Sequence, residues 1–119
     1  MLAADGVEVI FQLDGLAGPV AADHYLKLGH KNISGLFDLS AGAGRLPDQW
    51  PTPVPGLRCG YAGGLSPENA AEQAELVQRV ALQGSWVDAE TKLRSDKDDS
   101  FDLGRVEAFL AAWEPWVAK

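Results

Sequence analysis

An α/β architecture, a parallel sheet covered by helices, is the fold class this sequence predicts, and three observations predict it. Short β-branched and aromatic runs alternate with segments of helical periodicity. The runs end on Asp or Gly, the residues that turn a chain at a strand terminus. One run passes through Gly63-Gly64 straight into what reads as a helix start. Strands separated by crossovers pair in parallel, and parallel sheets need helical cover. The 119 residues (1–119) are read as a single unit, long enough to bury a core.

The first strand is Val7 to Leu13, stopped by Asp14-Gly15. Pro19 is expected to open a short helix through about Leu28, with Gly29 suited to its C-terminal turn. A second strand follows at Ile33 to Leu39. From Ser40 to Gly56 the chain is rich in Gly and Pro and shows no period, so this crossover is expected to lack a helix. The third strand runs from Leu57 to about Ala62. Ser66 then reads as an N-cap with Pro67 at the first helical position, and Ala70, Ala74, Val77 and Ala81 form an apolar stripe. Gly84 breaks that helix, and Ser85 to Ala89 is the fourth strand. Asp102 is expected to cap a last helix with Val106, Phe109, Leu110 and Trp113 on its buried face and Pro115 at its limit. Four such strands could form an open sheet or an arc of a barrel, and composition does not choose between them.

Composition excludes several function classes. A net charge of −7 argues against a nucleic-acid or anionic-membrane surface. No apolar run approaches the roughly 18 residues of a membrane span, and no basic segment precedes an apolar leader. Cys59 is the single cysteine, so an intrachain disulfide and a cysteine metal cluster are both out of reach. His24 and His30 lack ligand spacing and read as surface or capping residues, so no metal site is expected. These features fit a cytoplasmic protein.

Polar chemistry collects at the strand ends: Asp14, Asp38, Gly63-Gly64, and Asp88 with Glu90. In a parallel α/β sheet those ends share one rim, where ligands bind. Asp38, Asp88 and Glu90 offer oxygen atoms for a hard cation there, a weaker reading than the anion site beside them. That anion site is Tyr61 to Asn69, where side-chain-free backbone amides lie next to a helix N-terminus.

The segment Gly63-Gly64-Leu65-Ser66-Pro67-Glu68-Asn69 resembles the seventh-strand phosphate loop of phosphoribosylanthranilate isomerases. Leu36 to Arg45 is similar to that family's sixth strand and glycine-rich loop, which places Gly42, Gly44 and Arg45 at the rim. Phe101 to Leu110 is similar to its last helix. The resemblance covers nearly the whole chain as strands five to eight. It implies the C-terminal half of a (β/α)8 TIM barrel, with Asp38 as general acid and Gly63, Gly64 and the amide at Ser66 holding the phosphate. The implied reaction is an Amadori rearrangement of a phosphoribosyl amine, as in tryptophan biosynthesis, which needs no organic cofactor or metal.

Three departures accompany the resemblance. The family's general base is a first-strand cysteine, which a strand-five start omits. Cys59 lies roughly 13 Å below the rim at strand rise, and reads as a buried small hydrophobe. Where the family offers small residues to the phosphate, this chain has Asp88 to Arg94. Two carboxylates beside a phosphate are repulsive, by about 4 kcal/mol per unit pair at 4 Å and an effective dielectric of 20, which Lys92 or Arg94 would have to offset. The helix after the first strand is also short.

Half a barrel leaves two unpaired edges and an uncovered inner face. The expected partners are therefore a second copy or a complementing N-terminal half-barrel, beside a phosphorylated small molecule. Two functional expectations stand: an isomerase-type site incomplete in this chain, or a non-catalytic phosphate-ligand module. A small open α/β domain, flavodoxin-like in outline, is a third.

Overall fold

The computed structural model describes residues 7–13, 17–38, 45–82, 84–95, 97–98 and 100–117. Four parallel strands, β1 (Val9–Gln12), β2 (Ile33–Asp38), β3 (Arg58–Ala62) and β4 (Trp86–Asp88), form one sheet in the order β1-β2-β3-β4. The helices are α1 (Ala17–Lys27), α2 (Ala70–Gln78) and α3 (Leu103–Trp113), with 3-10 turns at Thr91–Leu93 and Glu114–Trp116. The predicted α/β class and parallel sheet are present.

Strand order follows chain order, so every crossover steps in the same direction. Right-handed crossovers that all step one way place their helices on one face. The contacts agree: Phe11 of β1 stacks on Tyr25 of α1, and Trp50 bridges the ring of Tyr61 on β3 to Gln73 of α2. An open doubly wound sheet reverses its order at a switch point and carries helices on both faces. This sheet has no reversal among the described strands, which departs from a flavodoxin-like order, while a small open α/β domain remains compatible with it.

Register sorts the strand residues into two faces. Ile33, Gly35 and Phe37 align with Cys59 and Tyr61, and these face the helices around Leu13, Leu57, Trp50, Val77, Phe109 and Trp113. Ile10, Gln12, Ser34, Leu36, Asp38, Arg58, Gly60, Ala62, Trp86 and Asp88 share the other face, which no helix covers among the described residues. That face is not bare, contrary to the expectation for an uncovered inner surface. The Ser34 hydroxyl donates to Glu8, Arg58 pairs with Glu8 at 3.6 Å, and the Arg58 guanidinium sits 4.8 Å from the centroid of the Trp86 ring. These long side chains lie across the small residues Ser34 and Gly60, both of which are buried. Ile10, at 54% exposed, remains open at the β1 edge.

The unperiodic crossover has no helix over 45–57 and is held instead by Trp50, 5% exposed, whose Nε1 donates to Gln73 at 2.9 Å. Two helix boundaries depart from expectation. α1 begins at Ala17, with Pro19 inside its first turn, where a missing N–H costs nothing. α2 begins at Ala70 rather than Pro67, for a reason given below. Ala70, Ala74 and Val77 form its buried stripe as expected, while Ala81 lies beyond its end. In α3, Asp102 accepts from the Arg105 amide at 3.2 Å as the expected cap, and Phe109 stacks on Trp113. Leu110 was expected on the buried stripe but is 62% exposed. No helix among the described residues is long and apolar enough to cross a membrane.

Candidate functional site

At the C-terminal ends of β2, β3 and β4 the open face deepens into a cleft of about 280 Å³. Its lining comes from three places: Leu36 and Asp38 at the end of β2, Ala62 to Leu65 leaving β3, and Asp88 to Lys92 leaving β4. The sheet explains why these meet. Asp38 and Asp88 both pair in register with Ala62, so their side chains emerge on one face, on either side of the central strand. Two strand spacings put their Cα atoms roughly 10 Å apart, which leaves room for a small ring between the carboxylates.

Of the residues singled out from sequence, Asp38, Gly63, Gly64, Asp88, Glu90 and Lys92 come together in this cleft. Leu36, Ala62, Leu65, Ala89 and Thr91 complete the wall and carried no signal of their own in the sequence. Asp14, Gly42 and Gly44 lie outside the described residues.

Ser66, Arg45 and Arg94 are placed elsewhere. Ser66 is buried and does not line the cleft. Its amide N–H donates to Asn69 Oδ1 at 2.9 Å, the Asn69 amide donates back to Ser66 Oγ at 3.2 Å, and Asn69 Nδ2 donates to the Gly64 carbonyl at 2.9 Å. This reciprocal pairing closes a turn over 67–69 and delays the helix to Ala70. The amide expected to hold a phosphate is therefore already satisfied by Asn69. An S-x-x-N spacing with both side chains able to bond backbone was the available signal.

Gly64 has a φ of +73°, and a Cβ there would lie 2.2 Å from the Leu46 amide nitrogen and 2.6 Å from the Arg45 carbonyl carbon. The space beside this glycine is filled by the backbone of the 45–57 crossover. That is a second reason for glycine beside the phosphate argument. Arg45 itself is exposed and meets the turn through its backbone.

Arg94 does not line the cleft; it pairs with Glu90 at 2.9 Å and lies 5.7 Å over the Phe101 ring. That pair answers the Glu90 charge. What the cleft presents is Asp38 and Asp88 on opposite sides of the glycine turn, with Lys92 as the cation among its lining residues. No group of three or more His, Cys, Asp or Glu among the described residues is arranged to hold a metal ion.

Cys59 faces the helices, 3% exposed, with its thiol toward the Leu57 carbonyl at 3.5 Å, and burial pushes its pKa up. A raised pKa and the wrong face remove it from proton transfer in the cleft. His24 and His30 pack edge-on against Tyr25, at 5.2 and 5.5 Å between ring centroids. Comparison with protein-family models, curated proteins and solved structures finds no significant match for the chain.

Proposed function

We propose that the chain binds a small phosphorylated ligand at the C-terminal rim of its sheet and carries the general-acid half of a phosphoribosylanthranilate isomerase-like site. One observation carries the reading: Asp38 and the Gly63-Gly64 turn are adjacent walls of the same cleft. Strand order without reversal and helices on one face support the finer fold reading, four consecutive strands of a (β/α)8 barrel whose inner face is the open one.

In the Amadori rearrangement that the resemblance implies, Asp38 donates a proton to the ring oxygen as the sugar opens. A base then removes the C2′ proton. The backbone at Gly63 and Gly64 and the ammonium of Lys92 are the groups that face a phosphate, with Asp88 opposing it. The thiol of this chain lies on the far face of the sheet, in a second copy as much as in the first, so a thiol base would come from a complementing N-terminal half.

A second reading, a phosphate-ligand module without turnover, is favoured by a specific observation: Asn69 occupies the Ser66 amide, and three carboxylates, Asp38, Asp88 and Glu90, line the cleft against one lysine. Phosphoribosylanthranilate turnover, measured for the chain and for Asp38→Asn with inorganic phosphate binding in parallel, separates the two. Turnover abolished by Asp38→Asn supports the isomerase. Phosphate binding without turnover supports the module, and neither activity removes the ligand assignment.

A further inference from the structure

We propose that Arg105 is a positioning residue that fixes the spacing between the two walls of the rim cleft, an inference that rests on the ligand site proposed above. Arg105 sits in the first turn of α3, anchored there by its backbone N–H, which donates to Oδ1 of the Asp102 cap. Its Nε donates to the Lys92 carbonyl at 2.8 Å, and its Nη2 pairs with Glu68 Oε1 at 2.7 Å. Lys92 ends the Ala89–Lys92 wall of the cleft. Glu68 lies in the turn that continues the Gly63–Leu65 wall. One guanidinium therefore ties the loop after β3 to the loop after β4.

The tie matters because nothing in the sheet does this work. β3 and β4 pair from Gly60–Trp86 only as far as Ala62–Asp88, where both walls begin. Beyond that pair the two loops leave the ladder. Guanidinium donors lie in a rigid planar fork, so two acceptors bound to one Arg are held in a fixed relation to each other. The Arg105 side chain is 32% exposed and that of Glu68 65%, so solvent screens the ion pair and the tie rests on the paired donor geometry of the guanidinium rather than on charge alone. Arg105 does not line the cleft, so its effect on a ligand passes through Lys92 and the glycine turn.

The experiment uses the full chain with Arg105→Ala, Arg105→Lys and Glu68→Ala. Hydrogen exchange is followed at residues 63–66 and 90–93, with inorganic phosphate titrated in parallel. Arg105→Ala is expected to speed exchange about tenfold in both segments, with β2 and β3 unchanged, and to weaken phosphate binding at least about fivefold. Glu68→Ala should loosen 63–66 alone. Arg105→Lys, which keeps the charge and loses the fork, should restore one segment at most.

Unchanged exchange in either segment after Arg105→Ala would overturn the proposal. So would acceleration spread evenly through β2 and β3, or loosened walls with an unaltered phosphate affinity. Absence of phosphate binding by the wild-type chain would instead sink the ligand reading, and the exchange pattern would then decide the role of Arg105 alone.

Discussion

The indole of Trp86 lies directly on Gly60, its register partner on the neighbouring strand: a Cβ at Gly60 would fall 2.1 Å from Cε2 of that ring. The two residues point to the same face, and the large one occupies the space the small one leaves. With Arg58 against the same indole, the pair covers the β3–β4 side of the open face. Large-against-small complementarity of this kind is how barrel interiors are filled.

Gly60→Ala therefore inserts a methyl group where the indole already sits. Overpacking of about 1–3 kcal/mol outweighs the gain of up to roughly 1 kcal/mol from replacing a strand glycine. Urea unfolding should show the net loss, and Trp86→Leu should suppress it. The double variant is expected to be at least about 1 kcal/mol more stable than the sum of the single changes. Additive losses would mean that the ring yields freely and the contact is not a packing constraint.

This contact shows what the sequence could and could not reveal. The strands were legible because their apolar runs end on Asp and Gly, and α2 because Ala70, Ala74 and Val77 repeat at helical spacing. Asp38, the glycine turn and Asp88 were legible as rim residues because position at a strand end is a local property. Gly60 under Trp86 was not, since nothing local says which residues of two strands will align. The start of α2 was misread because Ser66-Pro67 satisfies the local rules for a helix start, while Asn69 competes for the same backbone groups. Arg105 was invisible as a link because its partner Glu68 is 37 residues away.

Gly64 is a sharper test of the glycine turn than of the ligand. Any side chain there meets a left-handed φ and the backbone of Leu46. Gly64→Ala should cost roughly 2–4 kcal/mol in chemical denaturation, from backbone strain plus displacement of the crossover. A loss below about 0.5 kcal/mol would show that the crossover moves aside easily. Because the substitution disturbs the fold first, reduced phosphate binding in this variant would say little about a cradle, and Lys92→Ala is the better probe. That variant should weaken phosphate binding with stability unchanged.

Tyr61 couples the core to alkaline pH. It is fully buried, its hydroxyl has no partner among the described residues, and burial pushes its pKa up to about 12 from the usual 10. A raised folded-state value means its contribution is intact below pH 10 and is lost as pH rises toward 12, because the unfolded phenol ionises first. The loss across that window amounts to about 2–3 kcal/mol. Burial of Cys59 acts in the same direction above its own ordinary value of 9.0. Tyr61→Phe should therefore flatten most of the decline seen in urea melts between pH 9 and 11.5. At pH 7 it should be neutral or stabilising by about 1 kcal/mol, since it removes an unpartnered polar atom. A clear loss at pH 7 would mean that the hydroxyl is bonded after all.

Edge chemistry supplies the last test. β1 and β4 are both terminal strands of a parallel sheet, and each leaves one row of backbone groups without a strand partner among the described residues. Beside β4 lies a groove of about 550 Å³ lined by Trp86, Phe109, Leu110, Trp113, Trp116 and Val117, and Ile10 stands exposed beside β1. A strand edge next to apolar surface favours association, and because both edges belong to a parallel sheet, the β4 edge of one copy can continue into the β1 edge of another. Light scattering coupled to size exclusion should accordingly report a mass above the 12.7 kDa of one chain, rising with concentration. Leu110→Lys and Ile10→Lys change exposed residues at the two edges, so each should shift the distribution toward monomer while leaving the circular dichroism spectrum intact. A monodisperse monomer at all concentrations would show that Trp86 and Arg58 cover the open face well enough for the sheet to stand alone, and would count against a barrel completed by a second copy.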